Sequence, residues 1–110
     1  MKVIYVAGPY RASSEWGVAE NIRRAEKAAV ELWKRGWAVI CPHKNTAFFG
    51  GACPDVVWLE GDKELLRRCD AIFMLDEWED SKGATEELAL ATKLKLAVFH
   101  QLYGYPVAPL

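Results

Sequence analysis

The sequence predicts an α/β fold, a three-layer Rossmann-like or flavodoxin-like sandwich with a parallel sheet of four or five strands. Three observations carry that prediction. Short apolar runs alternate with segments of helical period along nearly the whole chain. The runs are apolar at successive positions, as strands covered by helices on both faces must be. The first strand, helix and second strand form a βαβ unit, which demands parallel pairing.

The first strand is residues 3–7, a β-branched run closed by Gly8-Pro9. From residue 18 to 35 the apolar positions Ala19, Ile22, Ala25, Ala29, Leu32 and Trp33 recur at helical spacing, and Gly36 stops the pattern. Residues 37–41 give the second strand. Residues 45–54 hold Gly50-Gly51, two phenylalanines and no period, and are read as a loop long enough to serve a function. A helix over 56–69, a strand over 70–75, a loop through Ser81-Lys82-Gly83, a helix to about residue 94 and a strand over 95–99 follow. The tail, "YGYPVAPL", is irregular. In such sheets ligands sit beyond the carboxyl ends of the strands, here the loops after Ala7, Cys41 and Leu75.

With 110 residues the chain is expected to form one domain, 1–110, with one core. Apolar residues make up 52% and charged residues 26%, the balance of a folded globular domain rather than a disordered one. A net charge of -1 supplies no field for a polyanion, so duplex nucleic acid is not an expected partner. No apolar run approaches the roughly 20 residues that span a bilayer, and Met1-Lys2 leads straight into a strand rather than a signal peptide. A cytoplasmic location away from the membrane is expected. Cys41, Cys53 and Cys69 are odd in number and irregularly spaced, which argues against a disulfide framework. Cys41, His43 and Cys53 would offer three zinc ligands, with no CxxC pair and no fourth ligand, so they are read as buried or incidental and no metal is expected.

Several residues break the packing pattern. Asp62 falls within the apolar stripe of its helix, at three-residue spacing from Leu59 and Leu65; it is either a functional acid or a cap or ion-pair partner at the core's edge. On the next helix Glu87 shares the inward face with Ala84, Leu88 and Ala91, whereas Glu86 points elsewhere and suits a solvated face. Both acids also complement the helix dipole. Tyr5 stands in an aliphatic strand, its hydroxyl reaching the crevice or making one hydrogen bond in the core. Arg11 and Ser81 are anion-binding groups at adjoining strand ends, or else a solvated loop residue and a helix cap. Trp58 and Trp78 are able to stack a base, or to pack. Neither GxGxxG nor a P-loop is present, so no dinucleotide cofactor is expected.

The stretches "YVAGPYR", "GDKELLRRCDAIFML" and "SKGATEELALA" together resemble the nucleoside 2-deoxyribosyltransferase superfamily. That superfamily includes the 2'-deoxynucleoside 5'-phosphate N-hydrolases and a related set of small, largely uncharacterised domains of the DUF4406 type, which look nearest. The resemblance covers most of the chain and stops in residues 45–57 and the tail. It implies that Glu87, in the family's G-x-x-x-E-L slot, is the nucleophile at the sugar's anomeric carbon. It also implies that Asp62 handles the departing base and that Tyr5 positions the glutamate. Arg11 and Ser81 match residues around a 5'-phosphate; Gly8 and Pro9 of the turn and Gly83 of the helix start complete the substrate-binding set. The transferases carry an acid in the Ser81 slot, and here Asp80 lies beside it. The implied activity is cleavage of the N-glycosidic bond of a nucleoside or its 5'-monophosphate, with transfer to water or another base, and without cofactor. The implied assembly is a homo-oligomer, a dimer or higher. The competing reading is a catalytically silent nucleotide-binding module on the same fold.

Overall fold

A computed structural model describes residues 1–102. The tail called irregular above lies outside the described residues. The elements are β1 (Val3–Ala7), α1 (Glu15–Lys34), β2 (Ala38–Ile40), α2 (Pro42–Asn45), α3 (Asp55–Arg67), β3 (Ala71–Met74), a 3-10 turn (Trp78–Asp80), α4 (Lys82–Lys93) and β4 (Ala97–His100). The described strands form one all-parallel sheet in the order β2-β1-β3-β4. The expected three-layer α/β fold is the fold observed, with four strands among the described residues.

Strand alternation sorts the core into two halves. Ile4, Val6, Ala71, Phe73 and Leu75 face α1 and pack on Ala25, Ala28, Ala29 and Leu32. Tyr5, Ala7, Ile72 and Met74 face the opposite way and pack on Leu66 of α3 and on Ala84 and Ala91 of α4. Tyr5 therefore belongs to the α3 and α4 layer, the layer that carries Asp62 and Glu87.

Helix α1 begins three residues before the expected start, because Ser14 accepts a hydrogen bond from the Gly17 amide at 3.0 Å and caps it. Its end is the one expected. Gly36, at φ +94°, donates to Trp33 O while Trp37 donates to Leu32 O, the paired bonds that close a helix through a left-handed residue. Helix α4 ends in the same way, but with Lys95 at φ 62°: Lys95 donates to Thr92 O and Leu96 to Ala91 O. Residues 95 and 96 are spent on that closure, so β4 begins at Ala97 rather than at 95. The single turn α2, with Pro42 in its first position, was not expected. Its presence moves the start of the irregular 45–54 segment to Thr46. Among the described residues no helix is long and apolar enough to cross a membrane.

Candidate functional site

A cavity of about 270 Å³ opens at the carboxyl ends of β1 and β3, walled by the loops after Ala7 and Ile40 and by α3 and α4. Gly8, Arg11, Asp62, Ser81, Gly83 and Glu87 all line it. Pro9 lines an adjoining hollow of about 530 Å³ that shares Arg11, Ser81 and Gly83. Tyr5 stands behind the wall, fully buried, and its hydroxyl donates to Glu87 Oε2. The structure thus gathers every residue singled out at the two acids and the two strand-end loops. Trp58 lines the cavity, whereas Trp78 packs into the core of the α3 and α4 layer beside His100.

Local structure explains each placement. Parallel strands β1 and β3 bring the Gly8-Pro9 turn beside Leu75, whose amide donates to Ala7 O at 2.8 Å. The approach is close: a Cβ on Gly8 would lie 2.6 to 2.7 Å from Leu75 side-chain atoms, so the turn requires glycine. Gly83 has open room for a Cβ, with Ser81 Oγ as its nearest neighbour at 3.9 Å. Its missing side chain keeps the cavity wall low rather than relieving a clash. Ser81 is the N-cap of α4, accepting from the Ala84 amide at 3.1 Å. That bond uses a lone pair of the hydroxyl and leaves its hydrogen to donate elsewhere. On α4, Ala84 and Ala91 are buried against the sheet, and Glu87, three residues after Ala84, follows them inward. Glu86 is 43% exposed and pairs with Lys63 of α3 at 3.7 Å.

The electrostatics are those of two acids held away from water. Burial raises the Asp62 carboxyl from the usual carboxylate range to about 6. Burial likewise raises Glu87, to about 7; the Tyr5 hydrogen bond works against that rise and the Asp62 charge adds to it. The two acids lie close together on the pH scale, and a charge on Asp62 weighs on Glu87. Tyr5 is pushed far upward by burial and by the charges of Glu87 and Asp62, so it remains a donor across the accessible pH range. Among the described residues no group of three or more His, Cys, Asp or Glu side chains is arranged to hold a metal ion.

Residues 2–100 match the model of a family described as Domain of unknown function (DUF4406). The chain belongs to the DUF4406 family. No curated protein matches it. Among solved structures it is similar to a 2-deoxyribosyltransferase from the psychrotolerant bacterium Bacillus psychrosaccharolyticus, with a TM-score of 0.63 and 23% identity over 89% of this chain and 70% of that one. At that identity the likeness is one of fold. The resemblance read from the sequence stands at the level of family and fold.

Three features of this DUF4406 domain were not anticipated. Arg11 is not a free cation: its Nη2 donates to Asp55, the first residue of α3, which also lines the cavity. His43, nearly fully buried, places Nε2 2.9 Å from Pro9 O, so Nε2 carries the proton and fastens α2 to the strand-end turn. Burial holds its pKa below the usual value, consistent with a neutral ring. Trp58 packs against Phe49 of the irregular segment, ring centres 5.8 Å apart, and so ties that segment to the cavity. A local signal existed only for His43, which follows the second predicted strand. Asp55 falls just before the helix predicted over 56–69, and nothing in the sequence marks it as a partner of Arg11.

Proposed function

We propose that this DUF4406 domain cleaves the N-glycosidic bond of a 2'-deoxynucleoside or its 5'-monophosphate, with Glu87 as nucleophile and Asp62 as acid and base. The observation that carries the reading is the pairing of two inward carboxyls in one cavity, one of them held by a buried tyrosine. Breaking such a bond develops positive charge on the sugar, which a carboxylate stabilises or captures, while the departing base needs a proton. In the first step a Glu87 oxygen bonds to the anomeric carbon as the bond to the base nitrogen breaks, and the Asp62 proton goes to the base. In the second, water or another base attacks the anomeric carbon, its proton passes to Asp62, and the Glu87 carboxylate is released. The fold likeness to a 2-deoxyribosyltransferase supports the substrate class.

Arg11 and Ser81 bind a 5'-phosphate in this reading. Its support is that both line the cavity at the start of α4, where the helix dipole and the first amides favour an anion. Gly8, Pro9 and Gly83 shape the path. The working form is a homo-oligomer, supported by Trp33 and Val30, which lie half out of the core on α1 beside edge strand β2.

The deciding experiment incubates the protein with deoxynucleosides and their monophosphates and follows free base by chromatography, with and without a second free base. Released base with a free sugar or sugar phosphate identifies a hydrolase; a new nucleoside or nucleotide identifies a transferase. Ligand binding with no base released from any substrate overturns the proposal in favour of a silent binding module.

A further inference from the structure

The Arg11–Asp55 pair is the feature of the cavity that the catalytic reading leaves unused. The two residues come from different parts of the chain, one in the loop after β1 and the other at the start of α3, and both line the cavity. Their side chains are 73% and 55% exposed, so the pair closes nothing off and contributes little to the fold. What it does change is the state of the guanidinium. The cation assigned to a 5'-phosphate is already bonded to a carboxylate oxygen, a monoanionic stand-in for the phosphate oxygen.

We propose that Asp55 is a specificity-determining residue, an internal competitor for Arg11 that tempers the site's preference for phosphorylated over unphosphorylated nucleosides; this rests on the assignment of Arg11 to the phosphate. A guanidinium binds a phosphate dianion more strongly than a single exposed carboxylate, through two parallel charge-assisted bonds. The phosphate therefore takes Arg11, but it must first separate the pair and then lie near a carboxylate that no longer has a partner. The released Asp55 is not stranded, because it occupies the first turn of α3, where the helix dipole favours an acid. Exchange is thus shallow in both directions. An unphosphorylated nucleoside never has to break the pair. Removing the carboxylate shifts the balance toward the phosphate and leaves the guanidinium in place.

The test is calorimetric titration of inorganic phosphate into wild-type protein and the variants Asp55→Asn, Asp55→Ala and Arg11→Ala, together with kcat/KM for a monophosphate and its nucleoside. Phosphate binding about twofold to fivefold tighter in both Asp55 variants, with the monophosphate-to-nucleoside ratio rising in step, is the expected result. Weaker phosphate binding in the Asp55 variants would mean that the carboxylate aims Arg11, and would overturn the competitor role. No change in the Asp55 variants, while Arg11→Ala weakens phosphate, would overturn it too and leave the phosphate site standing. Phosphate bound no better by wild type than by Arg11→Ala would remove the phosphate site itself, and the competitor role with it.

Discussion

The Tyr5 hydroxyl donates to Glu87 Oε2, tying the fully buried middle of β1 to the second turn of α4. That bond favours the charged carboxylate, while burial and the Asp62 charge favour the neutral one. With the two acids at about 6 and about 7, they compete closely for the last proton on the pair, and the proposed chemistry needs it on Asp62. Tyr5 pulls the balance toward the productive arrangement. Tyr5→Phe should therefore lower kcat/KM by about tenfold or more and move the alkaline limb of the pH profile upward, since Glu87 then holds its proton more tightly. A profile that keeps its shape and position, with the rate unchanged, would show that the bond is only structural.

The two neighbouring glutamates should separate cleanly. Glu87→Ala removes the proposed nucleophile, and turnover should fall by about a thousandfold or more. Glu86→Ala removes a half-exposed ion pair to Lys63, so activity should change by less than about twofold and stability by less than about 0.5 kcal/mol. Asp62→Asn keeps the shape of the acid without its proton, and should cost about a hundredfold, less for bases that leave easily. Steady-state kinetics beside circular dichroism melts would separate chemistry from folding. Equal losses at 86 and 87 would sink the assignment.

The acids also set the pH behaviour. In the proposed mechanism the active form carries one proton on the pair, so kcat/KM should trace a narrow bell with limbs near pH 6 and 7 that belong to the pair rather than to either residue. Below the lower limb no carboxylate is available to attack; above the upper one no proton is available for the base. Stability runs in one direction only. Both folded-state values lie above their ordinary ones of 3.8 and 4.5, so the folded protein binds these protons more tightly than the unfolded chain. Their favourable contribution is complete below about pH 4 and is lost as pH rises through 7. Glu87→Gln, which cannot ionise, should be more stable than wild type at pH 8 by up to about 3 kcal/mol, or roughly 10 to 20 °C in Tm, and no different at pH 4. An equal Tm at pH 8 would contradict the burial argument.

The layered fold was legible because its strands are short, apolar and separated by helical periods, and β1 at Val3–Ala7 came out to the residue. Boundaries were lost where local bonds overrode the pattern. Ser14 starts α1 through a side-chain bond that the apolar period, interrupted at Gly17, does not reveal. Lys95 closes α4 in a left-handed conformation for which glycine is the ordinary signal. In the site, Glu87 was legible because helix phase alone separates it from Glu86. The Arg11–Asp55 pair was not, since 44 residues separate its members and neither breaks a pattern. The His43 bond to Pro9 O depends on α2, a single turn too short to show a period.

The glycine turn carries its own prediction. An alanine at Gly8 would place its Cβ 2.7 Å from Leu75 Cβ, an atom fixed by the β3 backbone, so the clash is relieved only by spreading β1 from β3 at their carboxyl ends. Gly8→Ala should destabilise by about 1 to 3 kcal/mol and lower turnover, because the same spreading moves the cavity's rim. A melt with unchanged Tm would show that the strands yield more easily than this packing implies.

Ser81 offers the sharpest test of what the cavity mouth binds, because capping and phosphate binding can be pulled apart there. Its hydroxyl oxygen accepts from the Ala84 amide, and its hydrogen remains to donate to a ligand. Ser81→Ala loses both, and the cap alone is worth about 1 kcal/mol, so a fall in activity would not distinguish them. Ser81→Asp keeps the cap, since aspartate accepts from the same amide, but places a negative charge where the phosphate is proposed to sit. Its Tm should match wild type, while the ratio of monophosphate to nucleoside kcat/KM should fall by about tenfold or more. Arg11→Ala should lower the same ratio by about tenfold to a hundredfold through loss of one charge-assisted contact. A ratio that neither variant moves would mean that the substrate carries no 5'-phosphate. The mouth of the cavity, with Asp80 in the adjoining hollow, would then be read as a site for an unphosphorylated sugar.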